Sequence, residues 1–401
     1  MKMSDAAYSE RHTCPSRIMN PLLSAVKVFG VDLFHPCCHL TASSTTFLWY
    51  TRCIEVFLWY IVIHLTLITT MDSVYCGKII YLFHTYGKQA IFVILIISMY
   101  VAYQFSVTKR RKLSLHFPKS SYDGEDQLAM EMEAHLIKIL VLFYFNMIAT
   151  SLLLFTVCYS HLLTNSSEME AFYCTFSLSI WAFYGVGQIS SVLAVAVTTS
   201  VILEKRYVVM TYQLAERKTD DVSLNSFLER FIYKHLEIQR FFIILNNQWD
   251  VLLPAIYAHF IYVTGFLLYG AIFVDMMPVL KNATIIIAMI LLIGCIAVSR
   301  ALSILTSIMY DNYISVGRFS SSNLPLEYKF KIVDFMKKFG GRPFGICING
   351  FFFVKKNFVI RVGSGLYSVL SSVIQITGVL EQKKCSSKSK QFDVSTNMTS
   401  H

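Results

Sequence analysis

Long apolar blocks alternate with polar stretches along the chain, and seven of the blocks are long enough to cross a bilayer as helices. They cover 53–71, 89–107, 136–159, 172–203, 252–275, 284–307 and 362–380. A helix needs about 20 mostly apolar residues to span about 30 Å of hydrocarbon. At about 1.5 Å per residue the fourth block would reach about 48 Å, so it is expected to continue past the bilayer or to tilt strongly. One polar stretch carries the helical period instead: Phe227-Leu228-Glu229-Arg230-Phe231-Ile232-Tyr233-Lys234-His235-Leu236 is an apolar-rich helical pattern in a loop between blocks. The segment 326–339 is expected to supply another helix outside the bilayer. The pattern predicts an all-α membrane protein with seven transmembrane helices.

Charge orients the helices. With the N-terminus in the cytosol, the internal loops 108–135, 204–251 and 308–361 hold 5, 7 and 9 Lys or Arg residues. The loops on the other side hold only Lys78 and Lys281, with Lys88 at a boundary. Basic residues collect on the cytosolic side, so this asymmetry predicts a cytosolic N-terminus and, after seven crossings, an extracellular C-terminus. Three N-glycosylation sequons, at Asn165, Asn282 and Asn397, all fall outside in that topology. Lys383, Lys384, Lys388 and Lys390 run against it by placing a basic cluster in the tail. The orientation is opposite to that of a G-protein-coupled receptor. Glu204-Lys205-Arg206-Tyr207 has an acidic-Arg-Tyr look, but it follows the fourth block and reads as an ordinary basic helix end.

Composition narrows the function. The chain is 55% hydrophobic and 15% charged, where an average soluble domain carries roughly 25% charged residues. Its net charge of +10 sits mostly between the apolar blocks, where it orients a membrane protein and gives no reason to expect nucleic acid. The first twenty residues are polar and no secretory leader is visible, so the first span is expected to serve as the anchor. No Ser-His-Asp set, phosphate loop or metal motif appears, so neither an enzyme nor a cofactor is expected. Cys37-Cys38-His39 lacks a second ligand pair at zinc-like spacing. Cys76 and Cys174 both fall near the outer face, and the sequence leaves their pairing open. Glu55 and His64 stand within the first span on different faces, with Arg52 three residues from Glu55; they read as interhelical polar groups.

The last block is the least oily. Ser368, Ser372, Gln375 and Val379 follow one another at i, i+4, i+7 and i+11, and Ser371 lies beside them. A helix surrounded by lipid has no use for such a face. It suits either close packing through small residues or the wall of a water-filled pore. In the second case Gln375 and Ile376 form the constriction near the outer end.

The chain resembles the arthropod gustatory receptors, within the insect-type seven-helix chemoreceptor superfamily. Those chains close with Gly-Phe-Phe-like residues, a spacer, Thr-Tyr, five hydrophobic residues and Gln-Phe. Gly350-Phe351-Phe352 opens the segment here, Ser368-Val369 takes the Thr-Tyr place, and Gln375-Ile376 the Gln-Phe place at ungapped spacing. Pro21-Leu22-Leu23 with Lys27-Val28-Phe29-Gly30 resembles the family's segment before the first helix. Tyr367-Ser368 also resembles the related odorant receptors.

The resemblance implies a ligand-gated, non-selective cation channel, a homo- or hetero-tetramer in the plasma membrane of sensory neurons, opened by a sugar, bitter compound or similar tastant. It divides the chain into a cytosolic N-terminal segment 1–52, helices one to four over 53–203, a cytosolic helical loop 204–251, helices five and six over 252–307, a cytosolic anchor segment 308–361, the pore-lining helix 362–380 and an extracellular tail 381–401. The pore and gate fall on Ser368, Ser371, Ser372, Gln375 and Ile376. Family members bind ligand in the outer half of the bundle, where Trp181, Tyr184, Gln188, Tyr262 and Tyr269 offer aromatic rings beside polar groups. An odorant receptor subunit of the same superfamily and a multispan transporter are the other readings, though no repeat between the halves favours a transporter.

Overall fold

Ten helices carry the described part of the chain. The computed structural model describes residues 16–31, 45–71, 76, 85–110, 125–216, 224–249, 251–273, 278–321, 324–340, 347–348, 352–353 and 358–375. The helices are α1 Ser16–Lys27, α2 Thr45–Thr70, α3 Thr85–Arg110, α4 Glu125–Asn165, α5 Glu168–Ala215, α6 Leu224–Trp249, α7 Leu252–Phe273, α8 Pro278–Arg318, α9 Leu326–Gly340 and α10 Phe358–Gln375. Six of them, α2, α4, α5, α7, α8 and α10, are long and apolar enough to cross a membrane. The seventh, α3, has a shorter apolar stretch, Phe92–Thr108. The structure is thus an all-helical bundle with six to seven apolar helices.

In its described part each apolar block lies on a helix but for Met71, and several helices outrun their blocks. The α5 helix has 48 residues, about 72 Å at about 1.5 Å per residue. The α4 and α8 helices have 41 each. Nothing in Glu204-Lys205-Arg206 or its neighbours breaks a helix, so the backbone passes the hydrophobic boundary without a turn. The boundaries drawn after 203 and after 307 therefore fall inside continuous helices.

The post of the bundle is α5. It starts on an N-cap, where Ser167 Oγ accepts from the Glu170 amide, and Glu168 and Glu170 complement the positive end of its dipole. Of its most apolar window 61% is buried inside the protein, against 28% for α2 and α7. Many of the buried positions in its first two thirds are small: Ser179, Ala182, Gly187, Ser191, Ala194, Ala196, Thr198, Thr199 and Ser200. Small residues let backbones approach closely where lipid supplies no hydrophobic drive between helices. The helices α4 and α8 pack along α5, α7 packs on α8, and α3 lies against α2 and α7. A disulfide, Cys76–Cys174, ties the chain after α2 to the first turns of α5. This end of the bundle also holds the end of α4 at Asn165 and the start of α8 with exposed Asn282.

Two further elements had no counterpart in the sequence pattern. The α1 helix contains Pro21, which discourages a helix assignment in its middle. A short antiparallel pair, β1 Cys347–Ile348 and β2 Phe352–Phe353, precedes α10.

At the end of α5 far from the disulfide, the amphipathic α6 and α9 pack on α5 and α8. Leu224, Leu228, Phe231, His235 and Ile238 are buried along one face of α6, while Glu229 and Arg230 are exposed. Tyr207 of α5, His235 and Phe335 of α9 meet edge to face, with His235 5.3 Å from Tyr207 and 5.2 Å from Phe335 between ring centroids. Burial among these rings pushes the His235 imidazole down from its ordinary 6.5 to about 3. Outside this core, Lys331 joins α9 to α6 through Glu229 at 3.1 Å.

Candidate functional site

The α10 helix shows three distinct faces. At 3.6 residues per turn, Phe358, Val362, Leu366, Val369 and Val373 share one of them. Phe358 and Val362 are buried, and the Phe358 ring lies edge-on to Tyr257 of α7 at 5.4 Å. Gly265 lets α7 come close. A Cβ there would lie 3.0 Å from Val369 Cγ1 and 3.8 Å from Leu366 Cδ1. A second face carries Ile360, Gly363, Tyr367 and Ile374; Tyr367 is 74% and Ile360 71% exposed. A Cβ on Gly363 would meet nothing within 4 Å.

The third face is polar. Ser364, Ser368, Ser371, Ser372 and Gln375 form one stripe about a third of a turn from the α7-facing stripe. Ser364, Ser368, Ser372 and Gln375 are exposed and Ser371 is half-buried. The Ser372 hydroxyl donates to the Ser368 carbonyl at 2.8 Å, which settles its proton within the helix and leaves the oxygen outward. Ile376, assigned to the gate with Gln375, lies outside the described residues.

The five residues assigned to a ligand lie on two helices. Trp181, Tyr184 and Gln188 lie on α5, Tyr262 and Tyr269 on α7, and α8 packs against both helices. Tyr262 is exposed, and Tyr269 stacks on Phe273 at 5.5 Å. Tyr184 and Gln188 belong to the seat of the N-terminal segment. The Gln188 amide donates to the Phe29 carbonyl at 3.2 Å, and the Tyr184 ring meets the Phe29 ring at 6.5 Å. Gln188 also edges a void of about 20 Å³ lined by Glu55, Trp59 and Ser106, room for one water molecule and for no organic ligand. Ser106 of α3 donates to the Glu55 carboxylate across that void.

The sequence reading missed Phe29 as an anchor and Tyr207–His235 as a core. Phe29 lies outside every apolar block, and Tyr207 was assigned to a basic helix end. Both are fully or almost fully buried. The one available signal was the period of α6, which puts His235 on the same face as Leu228 and Phe231. Among the described residues no cluster of His, Cys, Asp or Glu is placed to hold a metal ion.

No protein-family model matches the sequence, and no curated protein matches it. Solved structures do. The insect olfactory receptor OR5 from Machilis hrabei superposes with a TM-score of 0.67 at 9% sequence identity, covering 89% of this chain and 97% of the receptor. The same receptor in complex with eugenol gives a TM-score of 0.65 at 9% identity over the same shares. The chain therefore has the fold of this insect olfactory receptor, with six to seven apolar helices.

Proposed function

We propose that this chain is a gustatory-type chemoreceptor: a ligand-gated, non-selective cation channel in the plasma membrane of sensory neurons, built from four copies and opened by a small-molecule tastant. The observation that carries the proposal is the polar stripe of α10. One face of the helix is satisfied by α7, yet Ser364, Ser368, Ser372 and Gln375 point out of the protomer. In a bilayer such groups need water or another protein, and an axis surrounded by four such stripes supplies water. The wall is made of hydroxyls and a carboxamide with no ring of charge, which suits weak discrimination among small cations. The fold shared with OR5 supports the same class, and the OR5 complex with eugenol supports a small organic activator.

In this reading the disulfide end is extracellular, where Asn165 and Asn282 accept glycans, and α6 with α9 is cytosolic. The ligand pulls the end of α10 near Gln375 and Ile376 away from the axis. The match to an olfactory receptor equally supports a second assignment, an odorant receptor subunit of the same superfamily. Cysteine scanning tests the pore. In patch-clamped cells a small methanethiosulfonate cation should block current through Ser368→Cys, Ser372→Cys and Gln375→Cys but not through Val362→Cys, on the α7 face. Equal insensitivity at all four positions would remove the channel reading. Screening sugars, bitter compounds and volatile odorants for current then separates the gustatory from the odorant assignment.

A further inference from the structure

The polar stripe of α10 does not end at Ser364. Arg361 precedes it by three residues, about 4.5 Å along the axis at about 1.5 Å per residue. At about 100° per residue, Arg361 lies about 20° from Ser368 and about 20° from Ser372 around the helix, inside the stripe. It is exposed, and among the described residues no carboxylate pairs with it. The uncharged wall of hydroxyls and a carboxamide therefore begins on one permanent positive charge.

Packing fixes the end of the bundle at which that charge stands. Phe358, in the same first turn of α10, meets Tyr257 near the start of α7, and the Tyr257 hydroxyl lies 3.3 Å from Ser299 Oγ of α8. This layer is on the side of α6 and α9, away from Cys76–Cys174. The residue after Ser299 is Arg300, also exposed, so α8 adds positive charge to the layer. The face of α10 suited to lipid is a different one. Ile360, Gly363, Tyr367 and Ile374 lie about a quarter turn from the polar stripe. A guanidinium in hydrocarbon is costly, so the stripe that carries Arg361 is the one that takes water.

We propose that Arg361, repeated on four α10 helices, forms a ring of positive charge at the inner mouth of the pore and makes that mouth resist cations arriving from the cytosol, so that current runs more readily inward than outward. The inference rests on the four-copy pore proposed above and adds a residue that sets its conduction. The ring lies below the uncharged wall, at its inner end. Its field reaches about 8 Å at physiological ionic strength and about 3 Å in 1 M salt. It therefore covers position 364 in the first case and falls short of it in the second.

The test needs no activating ligand. The full chain carrying Ser364→Cys, in membrane vesicles with the cytosolic face outward, is treated with anionic sulfonatoethyl methanethiosulfonate or with cationic trimethylammonioethyl methanethiosulfonate. Mass spectrometry then reads the labelling rate at position 364. The ratio of anionic to cationic rate should be at least tenfold higher with Arg361 than with Arg361→Gln. Arg361→Lys should keep the high ratio, and about 1 M salt should erase the difference. Arg361 packs on nothing, so these variants should keep the fold, which resistance of Cys76 and Cys174 to maleimide reports. Oxidative cross-linking checks the placement: Arg361→Cys should link subunits into dimers, and Ile360→Cys, on the lipid side, should not. A ratio unchanged by Arg361→Gln, at a position 364 that still reacts, would overturn the ring and leave the pore standing. So would dimers formed by Ile360→Cys and not by Arg361→Cys. A position 364 closed to both reagents, with no cross-link at position 361, would remove the pore and the ring together.

Discussion

The Phe29 ring lies on Gly187. A Cβ at position 187 would stand 2.1 Å from Phe29 Cδ1, and the ring has nowhere to retreat because it is fully buried. Phe143, at 5.4 Å, and Phe183, at 5.3 Å, hold it from two sides. The chain after α1 turns through Gly30 in the left-handed region, at φ 72°, and Tyr50 donates to the Val28 carbonyl at 2.6 Å. The glycine in α5 is therefore the socket for an anchor that fixes the N-terminal segment to the bundle. Gly187→Ala should cost about 1–3 kcal/mol by overpacking. Phe29→Ala should cost about 3–5 kcal/mol by leaving a hole. In the Phe29→Ala background the added methyl should be nearly harmless. Melting temperatures of the four proteins in detergent check the coupling, and strict additivity would show that the two residues do not meet.

The His235 imidazole predicts an acid-sensitive core. Its folded pKa, about 3, lies below its ordinary 6.5. Between those values the unfolded chain binds a proton that the folded chain does not, so stability rises with pH across this window and falls on acidification. One such group changes stability by at most about 1.4 kcal/mol per pH unit, or about 2 kcal/mol between pH 6.5 and 5. Replacing His235 with Leu should flatten this part of the curve, since Leu keeps the packing and binds no proton. A melting-temperature series over that range, in which wild type and His235→Leu ran parallel, would refute the assignment.

The disulfide should act once. Cys76 and Cys174 are 98 residues apart, and cross-links closing loops of this length are worth about 2–5 kcal/mol. Cys76→Ala, Cys174→Ala and the double variant should therefore lose the same stability, since each removes the same bond. Maleimide should reach these two sulfurs only after reduction, whereas the exposed Cys53 thiol reacts without it. A double variant clearly less stable than either single one would mean that the cysteines contribute separately.

The pattern of apolar helices was legible in the sequence because hydrophobic length is a local property: from 53 to 375 the described part of every block is helical but for Met71. The polar face of α10 was legible for the same reason, since Ser368, Ser372 and Gln375 follow the helical period without reference to any neighbour. The seat of the N-terminal segment was not. Gln188 was grouped with Trp181, Tyr184, Tyr262 and Tyr269 by chemistry and depth, and only the tertiary packing shows that its amide also serves Phe29. Phe29 was hidden for a related reason. A buried ring on a segment between helices has no period to betray it.

The contact between Gly265 and Val369 connects α7 to the proposed pore helix and gives a prediction about gating. A Cβ at position 265 would come within 3.0 Å of Val369 Cγ1, tight enough that α10 must shift by a few tenths of an ångström. Gly265→Ala should be tolerated, with a small change in the ligand concentration giving half-maximal current. Gly265→Val adds two more methyl groups against a helix whose other faces carry no packing from this protomer at Gly363, Ser368 or Tyr367, so the helix should yield by moving away from α7. Moving α10 off α7 drives its polar stripe toward the axis, which narrows the path. Gly265→Val should therefore reduce maximal current severalfold at unchanged surface expression. Val369→Ala removes the opposing methyl groups and should restore much of that current in the double variant, while an equal loss in Gly265→Val and in Gly265→Val/Val369→Ala would show that the packing of these two helices does not set the pore.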